Sequence, residues 1–246
     1  IQAVLNNADR LPLSEIRLYD IDAQRNADMY LIIQYMLKKE GFKDVVISST
    51  EDPETAFTGC DFIFSQIRVG GMKMREKDEK IPLSHGLVGQ ETCGLGGFAY
   101  GMRSMNGLLE IVGYVQKYAP EAWILNYTNP ESIVSEAVRR QYPKAKMINA
   151  CDMTISIEET IAVNYGYDRK NWIPTYYGLN HFGWYTSIYD KDLKRDVVPE
   201  IIEKLTTQEM EVADFNAGDK TWQEAFSMMS VITKNFPQNI PNNYLE

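Results

Sequence analysis

The feature that most constrains the fold is an alternation of short apolar segments with longer amphipathic ones over the first two thirds of the chain. The strand-like segments are residues 16–19, 45–48, 61–64, 123–126 and 147–149. Residues 23–39 have the pattern of a helix, and Gly41 is its predicted C-terminal stop. Strands that alternate with helices are typical of a parallel sheet covered on both faces. The pattern therefore predicts an α/β fold with a Rossmann-like, mostly parallel sheet in residues 1–150.

This regular alternation is interrupted between residues 66 and 104 and ends after Cys151. The interrupted segment is rich in glycine and shows little periodicity, which predicts a long functional loop. After Cys151 the sequence predicts a helix over residues 155–164, aromatic-rich strands over residues 175–189, and mainly helix beyond them. We therefore expect a second, mixed α+β domain in residues 151–246.

Composition excludes several classes of partner and site. The 246 residues include 34 acidic and 25 basic side chains, and the net charge of -9 argues against nucleic acid as a partner. No apolar segment approaches the roughly 18 residues of a membrane helix, so no membrane partner is expected. The 3 scattered cysteines contain no CxxC motif, which favours a reducing, cytoplasmic location over a disulfide framework or a structural zinc site. With only 2 histidines, a metal site with three histidine ligands is impossible.

Two acidic residues, Asp20 and Asp22, follow the first predicted strand. In a doubly wound nucleotide-binding fold, the acid that binds the ribose follows the second strand, after an opening strand and a glycine-rich turn. Residues 1–11 have the pattern of the end of a helix, so we expect that opening strand and its turn to be absent from this chain. The internal match over residues 94–99 follows no predicted strand and is not interpreted as that turn.

Cys151 and Asp152 follow the last predicted parallel strand, at the sheet edge where such folds place ligands. A thiolate there could bind a divalent metal together with an imidazole, and the carboxyl group could donate a proton. The alternative is a buried cysteine beside an N-capping aspartate. His181 lies between two glycines, a setting typical of backbone held close to a ligand, and a purely structural histidine is the alternative. His85 has no comparable surroundings and is interpreted as structural.

Arg68 and Arg75 flank a pair of glycines. An arginine fork suits a phosphate monoester, and glycine lets backbone N–H groups approach it. The alternative is a solvated charge run on a helix face, which residues 75–80 alone suggest. Residues 89–92 and 126–130 place amide and carboxylate groups beside turn residues, where they could bind sugar hydroxyls or cap a turn.

Five segments that carry these groups follow one another in a specific order along the chain. They read RVGG from Arg68, GQET from Gly89, NYTNP from Asn126, CDM from Cys151 and GLNHFGW from Gly178. Arg75, Asp78 and Glu79 accompany the first of them. Together they resemble glycoside hydrolase family 4, and most of all its 6-phospho-α-glucosidase branch, over essentially the whole chain.

The resemblance implies hydrolysis of 6-phospho-α-glucosides of the maltose 6-phosphate type, with NAD and Mn²⁺ or another divalent metal as cofactors. This NAD-dependent family is an exception to the two-carboxylate scheme of most glycosidases. The implied reaction consists of oxidation at C3 of the sugar, removal of the C2 proton, departure of the aglycone, addition of water and reduction, so that NAD is regenerated. A phosphorylated disaccharide as substrate and a homo-oligomer, dimeric or tetrameric, are implied in the same way.

The resemblance also implies roles for individual residues. These are Cys151 and His181 as metal ligands, Asp152 as general acid, Tyr244 as base, Arg75 for the 6-phosphate, Asn129 and Glu91 on the substrate side, and Asp20 with Asp22 for the ribose of NAD. An unperturbed phenol has a pKa of about 10, so Tyr244 needs the field of the metal to act as a base at neutral pH.

Two positions near the proposed metal site bear on the branch and on the local geometry. Asp152 favours the α branch, because β-specific relatives have asparagine at this step. Thr154 stands where the family usually has proline, so the turn beyond the metal site is expected to differ. Both predicted domains are expected to be incomplete, the first at its N-terminus and the second at its C-terminus.

Several alternative functions remain open at this point. One is a 6-phospho-β-glucosidase or another family 4 glycosidase. Another is an NAD-dependent hydroxyacid dehydrogenase, which the Asn129–Pro130 step also suggests, although such an enzyme has little use for a cysteine–histidine pair. The last is a non-catalytic fragment that folds but does not hold NAD.

Overall fold

The computed structural model describes residues 1–208 and 220–242 of the chain. The chain divides into two compact units, Ile1–Ala150 and Cys151–Glu246. Each unit buries a hydrophobic core of its own.

The first unit alternates helices with parallel strands, as the apolar pattern predicts. Its strands are β1 (Glu15–Tyr19), β2 (Val46–Thr50), β3 (Phe62–Ser65), β4 (Trp123–Asn126) and β5 (Lys146–Asn149). Its helices are α1 (Gln2–Leu5), α2 (Ala23–Lys39), α3 (Pro53–Phe57), α4 (Gly71–Ser84), α5 (Gly94–Tyr118) and α6 (Glu131–Gln141). β1 pairs with β2, β3 with β4 and β4 with β5, and every one of these pairs is parallel. The predicted α/β class is confirmed.

These parallel strands form two sheets, a two-stranded one of β1 and β2 and a three-stranded one of β3, β4 and β5. Within the described ranges, no strand joins β1 to β3. An aromatic cluster lies between the elements instead: the ring of Tyr19, at the end of β1, is 5.1 Å from Phe57 of α3 and 6.4 Å from Tyr114 of α5. Side-chain packing of this kind therefore supplements the backbone ladders in holding the unit together.

Helix α2 shows how local side chains set the limits of an element. Asp22 is its N-cap residue and accepts a hydrogen bond from the backbone N–H of Arg25 at 3.0 Å. Such a cap is worth about 1 kcal/mol. Two lysines occupy the last turn, where the helix dipole favours positive charge, and Gly41 follows with a φ of +83°. The helix limits predicted from the sequence are confirmed.

The core of the first unit is centred on α5. Leu108, Val112 and Val115 form one fully buried stripe along this helix. They belong to the same cluster as Ile124 of β4 and Val134 of α6, which are also fully buried. Burial of an aliphatic side chain of this size contributes about 1.5–3 kcal/mol, so this stripe is a major source of the unit's stability.

The prediction of a long loop between residues 66 and 104 is wrong, because α4 and the start of α5 occupy most of that segment. The glycines of α5 serve close helix packing. A Cβ atom at Gly96 would lie 2.3 Å from the carbonyl oxygen of Asp78, and one at Gly101 would lie 2.6 Å from the Ile133 side chain. This packing outweighs the intrinsic helix penalty of glycine, about 1 kcal/mol per residue. Residues 94–99 follow no strand, as predicted, and open helix α5.

The second unit is a mixed α+β structure, as predicted. Its helices are α7 (Met153–Tyr165), α8 (Val198–Thr207) and α9 (Lys220–Asn235), with a short 3-10 helix at Arg169–Asn171. Its strands are β6 (Trp172–Leu179), β7 (Phe182–Asp190), β8 (Arg195–Asp196) and β9 (Ile240–Asn242). β6, β8 and β9 all pair antiparallel with β7. Strand β9 departs from the sequence prediction, which expects mainly helix in this part.

The core of the second unit joins its helices to its sheet. Ile157 and Ile161 of α7, Ile188 of β7, and Ile201 and Leu205 of α8 are fully buried members of one cluster. This cluster fixes α7, and with it the segment that contains Cys151, against the β6–β7 hairpin. No helix in the described ranges is long and apolar enough to cross a membrane.

Candidate active site

Cys151 and His181 lie together in the second unit, although 30 positions separate them in the sequence. The Sγ atom of Cys151 is 3.5 Å from Nε2 of His181. Cys151 is exposed and stands two residues before α7, whereas His181 lies in the turn between β6 and β7. Thiolate and imidazole are ligands that suit divalent transition metals. The structure thus brings together the two side chains that the resemblance implies as metal ligands.

The surroundings of Cys151 lower the pKa of its thiol. A hydrogen bond with His181 lowers its pKa, and further hydrogen bonds with the Asn180 side chain and the Met153 backbone act in the same direction, against a partial desolvation. Burial has the opposite effect on Cys60, whose pKa it raises. Since the thiolate is the form that binds metals, Cys151 is the better ligand of the two.

The backbone of His181 is in a conformation that side chains rarely adopt. Its φ is +62°, in the left-handed region, and His181 is the second residue of the two-residue turn between the paired residues Leu179 and Phe182. A residue other than glycine in this region carries a strain of about 1–2 kcal/mol. Such strain concentrates at functional sites, and here it accompanies the approach of the imidazole to Cys151.

The glycines on either side of His181 are required by close approach within the hairpin itself. A Cβ atom at Gly178, whose φ is +115°, would lie 2.6 Å from the carbonyl oxygen of Phe182. One at Gly183 would lie 2.1 Å from the hydroxyl of Tyr176, which donates a hydrogen bond to the Leu179 carbonyl at 2.8 Å. The hairpin therefore holds the turn of His181 in one tight arrangement.

Asp152 stands at the N-cap position of α7, but its side chain makes no capping hydrogen bond. The residue is exposed, and its backbone carbonyl accepts the hydrogen bond from the Ser156 N–H. The carboxyl group next to Cys151 is therefore not committed to the helix, unlike that of a capping aspartate.

In the first unit, Arg75 and Glu91 belong to one arginine–glutamate cluster, which consists of Arg68, Arg75, Glu79 and Glu91. Arg75 of α4 forms ion pairs with Glu79 on the same helix and with Glu91. Arg68 donates from Nη2 to the other carboxylate oxygen of Glu91 at 2.8 Å. The cluster thus balances two guanidinium groups against two carboxylates. The charge-run alternative is partly right, since Arg75 is on a helix, but its side chain is only 29% exposed.

A buried ion pair next to this cluster has no signal in the sequence. Asp78 of α4 is buried and pairs with Arg103 of α5, with 3.1 Å between Nη1 and Oδ1 and a second bond between Nη2 and Oδ2. The guanidinium groups of Arg68 and Arg103 lie 5.1 and 5.8 Å from the centre of the Tyr100 ring. Tyr100 therefore links the buried pair to the arginine–glutamate cluster through two cation–π contacts.

Asn129 lies, half-buried, in the turn after β4, and the preceding residues fix that turn. The Asn126 side chain accepts a hydrogen bond from the Thr128 N–H at 3.1 Å and donates one to the Asn149 side chain at 2.9 Å. The hydroxyl of Thr128 accepts from the Ile67 N–H at 3.1 Å. The amide of Asn126 is therefore committed to the turn, and Asn129 is the residue that the resemblance implies for sugar binding.

Asp20 and Asp22 have different partners at the end of β1. The carboxylate of Asp20 accepts two hydrogen bonds from the Arg25 side chain, at 2.6 and 2.5 Å, and one from the Asp22 N–H at 2.9 Å. The bonds from Arg25 lower the pKa of Asp20. Asp22 caps α2, so its carboxylate is already used by the helix.

Two further predictions concern Tyr244 and His85. Tyr244, the predicted base, lies outside the described residues. His85 is the exposed C-cap residue of α4. In the ranges that the structure describes, no group of three or more histidine, cysteine or acidic side chains could hold a metal ion.

Comparison with known proteins identifies relatives of the chain. It is 45% identical over 246 residues to a 6-phospho-α-glucosidase of Leptotrichia buccalis, an alignment that covers 99% of this chain and 55% of the relative. It is 32% identical over 216 residues to the 6-phospho-β-glucosidase BglT of Thermotoga maritima, which covers 87% of this chain and 50% of that one. The chain thus spans about half the length of the curated relatives it matches.

The fold and the family models agree with these relatives. A solved 6-phospho-α-glucosidase from gut microorganisms, in complex with NAD and Mn²⁺, superposes with a TM-score of 0.91 at 35% identity over 98% of this chain and 55% of that chain. The model of the family 4 glycosyl hydrolases matches residues 1–166, and the model of their C-terminal domain matches residues 176–246. The chain therefore belongs to family 4 of the glycosyl hydrolases.

Proposed function

We propose that this protein hydrolyses 6-phospho-α-glucosides of the maltose 6-phosphate type, with NAD and a divalent metal, Mn²⁺ in the first place, as cofactors. The observation that carries the proposal is the Cys151–His181 pair beside the uncommitted carboxyl group of Asp152. Membership of family 4 and 45% identity to a 6-phospho-α-glucosidase support the substrate class. The solved relative in complex with NAD and Mn²⁺ supports the cofactors.

The separation of Cys151 and His181 fits two ligands of one metal ion. Bonds of about 2.3 Å from a metal ion to sulfur and about 2.1 Å to nitrogen would place the two donor atoms no more than about 4.4 Å apart. The observed distance is 3.5 Å. Cys151 and His181 would hold the ion, and the described residues offer no group of three or more histidine, cysteine or acidic side chains at this place. When bound, a divalent ion supplies Lewis-acid stabilisation of sugar oxygens.

Asp20 fits the ribose of NAD. It lies at the carboxyl end of a parallel strand, where this class of fold binds that group. The lowered pKa keeps its carboxylate ionised and able to accept hydrogen bonds from hydroxyls. Asp22, as the cap of α2, is the weaker candidate. When bound, NAD takes up a hydride and returns it.

Asp152 and Tyr244 are proposed for the proton transfers. The exposed carboxyl group of Asp152 follows Cys151 directly, so it can give a proton to the departing oxygen of a sugar held at the pair. Tyr244 is proposed, on the family resemblance, as the base that removes the C2 proton.

Arg75 is proposed to bind the 6-phosphate, with Arg68 close by. Guanidinium forks bind phosphate through paired hydrogen bonds, and a phosphate dianion would compete with Glu79 and Glu91 for the same donors. Glu91 contacts both arginines and therefore controls how much positive charge the cluster offers. Asn129 is proposed to bind a sugar hydroxyl.

The α anomer is preferred over the β anomer for two reasons. Asp152 supplies an acidic carboxyl group at the step where the β branch has asparagine. Sequence identity is also higher to the α-specific relative, 45% against 32%. The match to a 6-phospho-β-glucosidase makes that activity the second candidate.

The cellular setting follows from composition and from the resemblance. A cytoplasmic location is proposed because Cys60, Cys93 and Cys151 are free thiols, which suit a reducing compartment. A homo-oligomer, dimeric or tetrameric, is proposed on the resemblance alone.

One assay tests the function: release of p-nitrophenol from its α-glucoside 6-phosphate by the intact gene product, with and without NAD and Mn²⁺. We expect release that needs both cofactors, without net formation of NADH. Activity that survives removal of both cofactors would overturn the redox mechanism. Net NADH would favour a dehydrogenase, and turnover of the β anomer alone would overturn the role given to Asp152.

A further inference from the structure

A chain of hydrogen bonds among buried polar side chains joins α7, β7 and β9 within the second unit. Tyr185 of β7 is fully buried, Asn242 of β9 is 1% exposed and Glu158 of α7 is 5% exposed. A buried polar group that loses its partner pays its full desolvation penalty, so such a network holds its elements in one arrangement. None of these side chains takes part in the chemistry proposed above.

The backbone of Asn242 lies beside the hairpin that carries His181. In the antiparallel pairing of β7 with β9, Asn242 is opposite Gly183, which follows His181 by two residues. Pro241 and Ile240 continue the pairing along β7. The position of β9 is thereby tied to one of the two proposed metal ligands.

The side chain of Asn242 reaches the segment that carries the other proposed ligand. Its Nδ2 atom donates to the hydroxyl of Thr154 at 3.1 Å and to the hydroxyl of Tyr185 at 3.1 Å. These two bonds use both hydrogens of the amide. Thr154 lies in the first turn of α7, three residues after Cys151. Asn242 therefore connects the Cys151 segment to the His181 hairpin.

Tyr185 and Glu158 reinforce this connection. The hydroxyl of Tyr185 is 3.1 Å from the carbonyl oxygen of Thr154 and 3.1 Å from Oε1 of Glu158, and its single hydrogen is shared between these two acceptors. The other oxygen of Glu158 is 3.5 Å from Nη1 of Arg169. Thr154 is thus held through both its hydroxyl and its carbonyl oxygen, which fixes the first turn of α7.

We propose that Asn242 and Thr154 are positioning residues that set the separation of the Cys151 thiolate and the His181 imidazole. This inference rests on the proposed metal-dependent function. The hydrogen bond from Asn242 to Thr154 holds the segment of Cys151. The backbone pairing of Asn242 with Gly183 holds the hairpin of His181, so Asn242 connects both proposed ligands. Without the hydrogen bond between Asn242 and Thr154, the distance between the sulfur of Cys151 and the imidazole of His181 varies. Metal affinity then falls, while the fold of the second unit is retained.

The test measures the dissociation constant of Mn²⁺ alone for the intact gene product and its variants. Thr154→Val keeps the shape of the side chain and removes the hydroxyl, and we expect it to raise the dissociation constant about tenfold, the lower end of what loss of a ligand-orienting hydrogen bond causes. Thr154→Ser restores the hydroxyl and should restore affinity to within about twofold of the parent protein, since the hydrogen bond is re-formed.

A matched control lies on the same helix. The hydroxyl of Thr160 donates to the Ser156 carbonyl at 2.8 Å, a bond within α7. Thr160→Val therefore loses a comparable hydroxyl whose hydrogen bond stays within α7, and its Mn²⁺ affinity should stay at the parental value. Thermal unfolding of each variant separates a general loss of stability from a loss of metal affinity.

A double-mutant cycle completes the test. Because Thr154 and Asn242 act through one contact, the pair Thr154→Val with Asn242→Ala should bind Mn²⁺ only about as weakly as the weaker single variant. Parental affinity in folded Thr154→Val, or fully additive losses in the double variant, would overturn the positioning role. If the parent protein itself bound no Mn²⁺, the metal assignment would fail first, and the positioning role with it.

Discussion

Cys151 and His181 in the second unit face each other at 3.5 Å, whereas Arg75 in the first unit is already paired with two carboxylates. The arginine–glutamate cluster of the first unit is internally neutral, because each of its charges has an opposite charge as its partner. The Cys151–His181 pair consists of a thiol and an imidazole that already lie close enough to be ligands of one metal ion. The proposed metal site is therefore preorganised, whereas a phosphate bound as proposed at Arg75 would have to displace Glu79 and Glu91.

This difference predicts that substitutions at the Cys151–His181 pair and in the arginine–glutamate cluster have different effects. Loss of a metal ligand should remove catalysis and leave the fold intact, because Cys151 is exposed and contributes little to the core. Loss of a charged residue near Arg75 should change stability or substrate affinity, because those side chains are bound into ion pairs.

The largest effect is expected for Cys151→Ser. A serine hydroxyl ionises far less readily than a thiol whose pKa is lowered, so we expect metal-dependent kcat to fall by at least about a hundredfold, above the usual effect of residues that only orient ligands. The thermal midpoint should stay within a few degrees of the parental value. Cys93→Ser, at the other exposed cysteine, is the control and should keep its activity. Full activity of Cys151→Ser would refute the ligand assignment.

The next effect concerns the buried ion pair of the first unit. Asp78→Asn leaves the guanidinium of Arg103 without its charge partner, and we expect the free energy of unfolding to fall by about 3 kcal/mol. Glu136→Gln removes an exposed partner of Arg139 and should change the same quantity by less than about 1 kcal/mol. Urea denaturation monitored by circular dichroism measures both. Equal effects would show that burial does not make the pair of Asp78 and Arg103 more important to stability than an exposed ion pair.

Arg75→Gln should act on substrate affinity. Removal of the guanidinium costs at least one charged hydrogen bond to phosphate, about 1.5 kcal/mol or more, which corresponds to a rise in KM of at least about tenfold. Turnover of the unphosphorylated p-nitrophenyl glucoside should be unaffected by the change. Arg139→Gln, at an exposed ion pair, is the control. A fall in kcat at constant KM would assign Arg75 to the chemistry and remove it from phosphate binding.

The smallest effect is a difference in the reactivity of two thiols. Hydrogen bonds lower the pKa of Cys151, and burial raises that of Cys60, so the thiolate of Cys151 forms at lower pH. In metal-free protein at neutral pH, we expect iodoacetamide to modify Cys151 at least severalfold faster than Cys60. The midpoint of the rate–pH curve should lie lower for Cys151 and rise in His181→Gln. Peptide mass spectrometry follows both sites, and equal curves would contradict the role of His181.

The sequence was most informative where the signal is local. The limits of α2 follow from a cap, two lysines and a glycine that are all neighbours in the chain. The glycines around His181 are likewise a local signal, and they mark a hairpin whose turn is strained. The ordered motifs then suffice to identify the family.

The sequence failed where packing between distant segments decides the outcome. The glycines of α5 suggest a loop, but Gly96 and Gly101 are there to admit α4 and α6 at close range. Arg103 carries no signal because its partner is 25 positions away. Thr154 stands out in the sequence because the family usually has proline there. Its hydrogen bond with Asn242 joins residues 88 positions apart and is visible only in the fold.

The most direct test of the central claim is hydrolysis of p-nitrophenyl α-glucoside 6-phosphate in D₂O, followed by NMR of the sugar product. The proposed mechanism removes the C2 proton and later replaces it from solvent, so the glucose 6-phosphate formed should carry deuterium at C2. The same measurement without Mn²⁺ should show neither turnover nor exchange. A product with its C2 proton fully retained would contradict the account, because hydrolysis would then proceed without the elimination that Cys151, His181 and Asp152 are proposed to support.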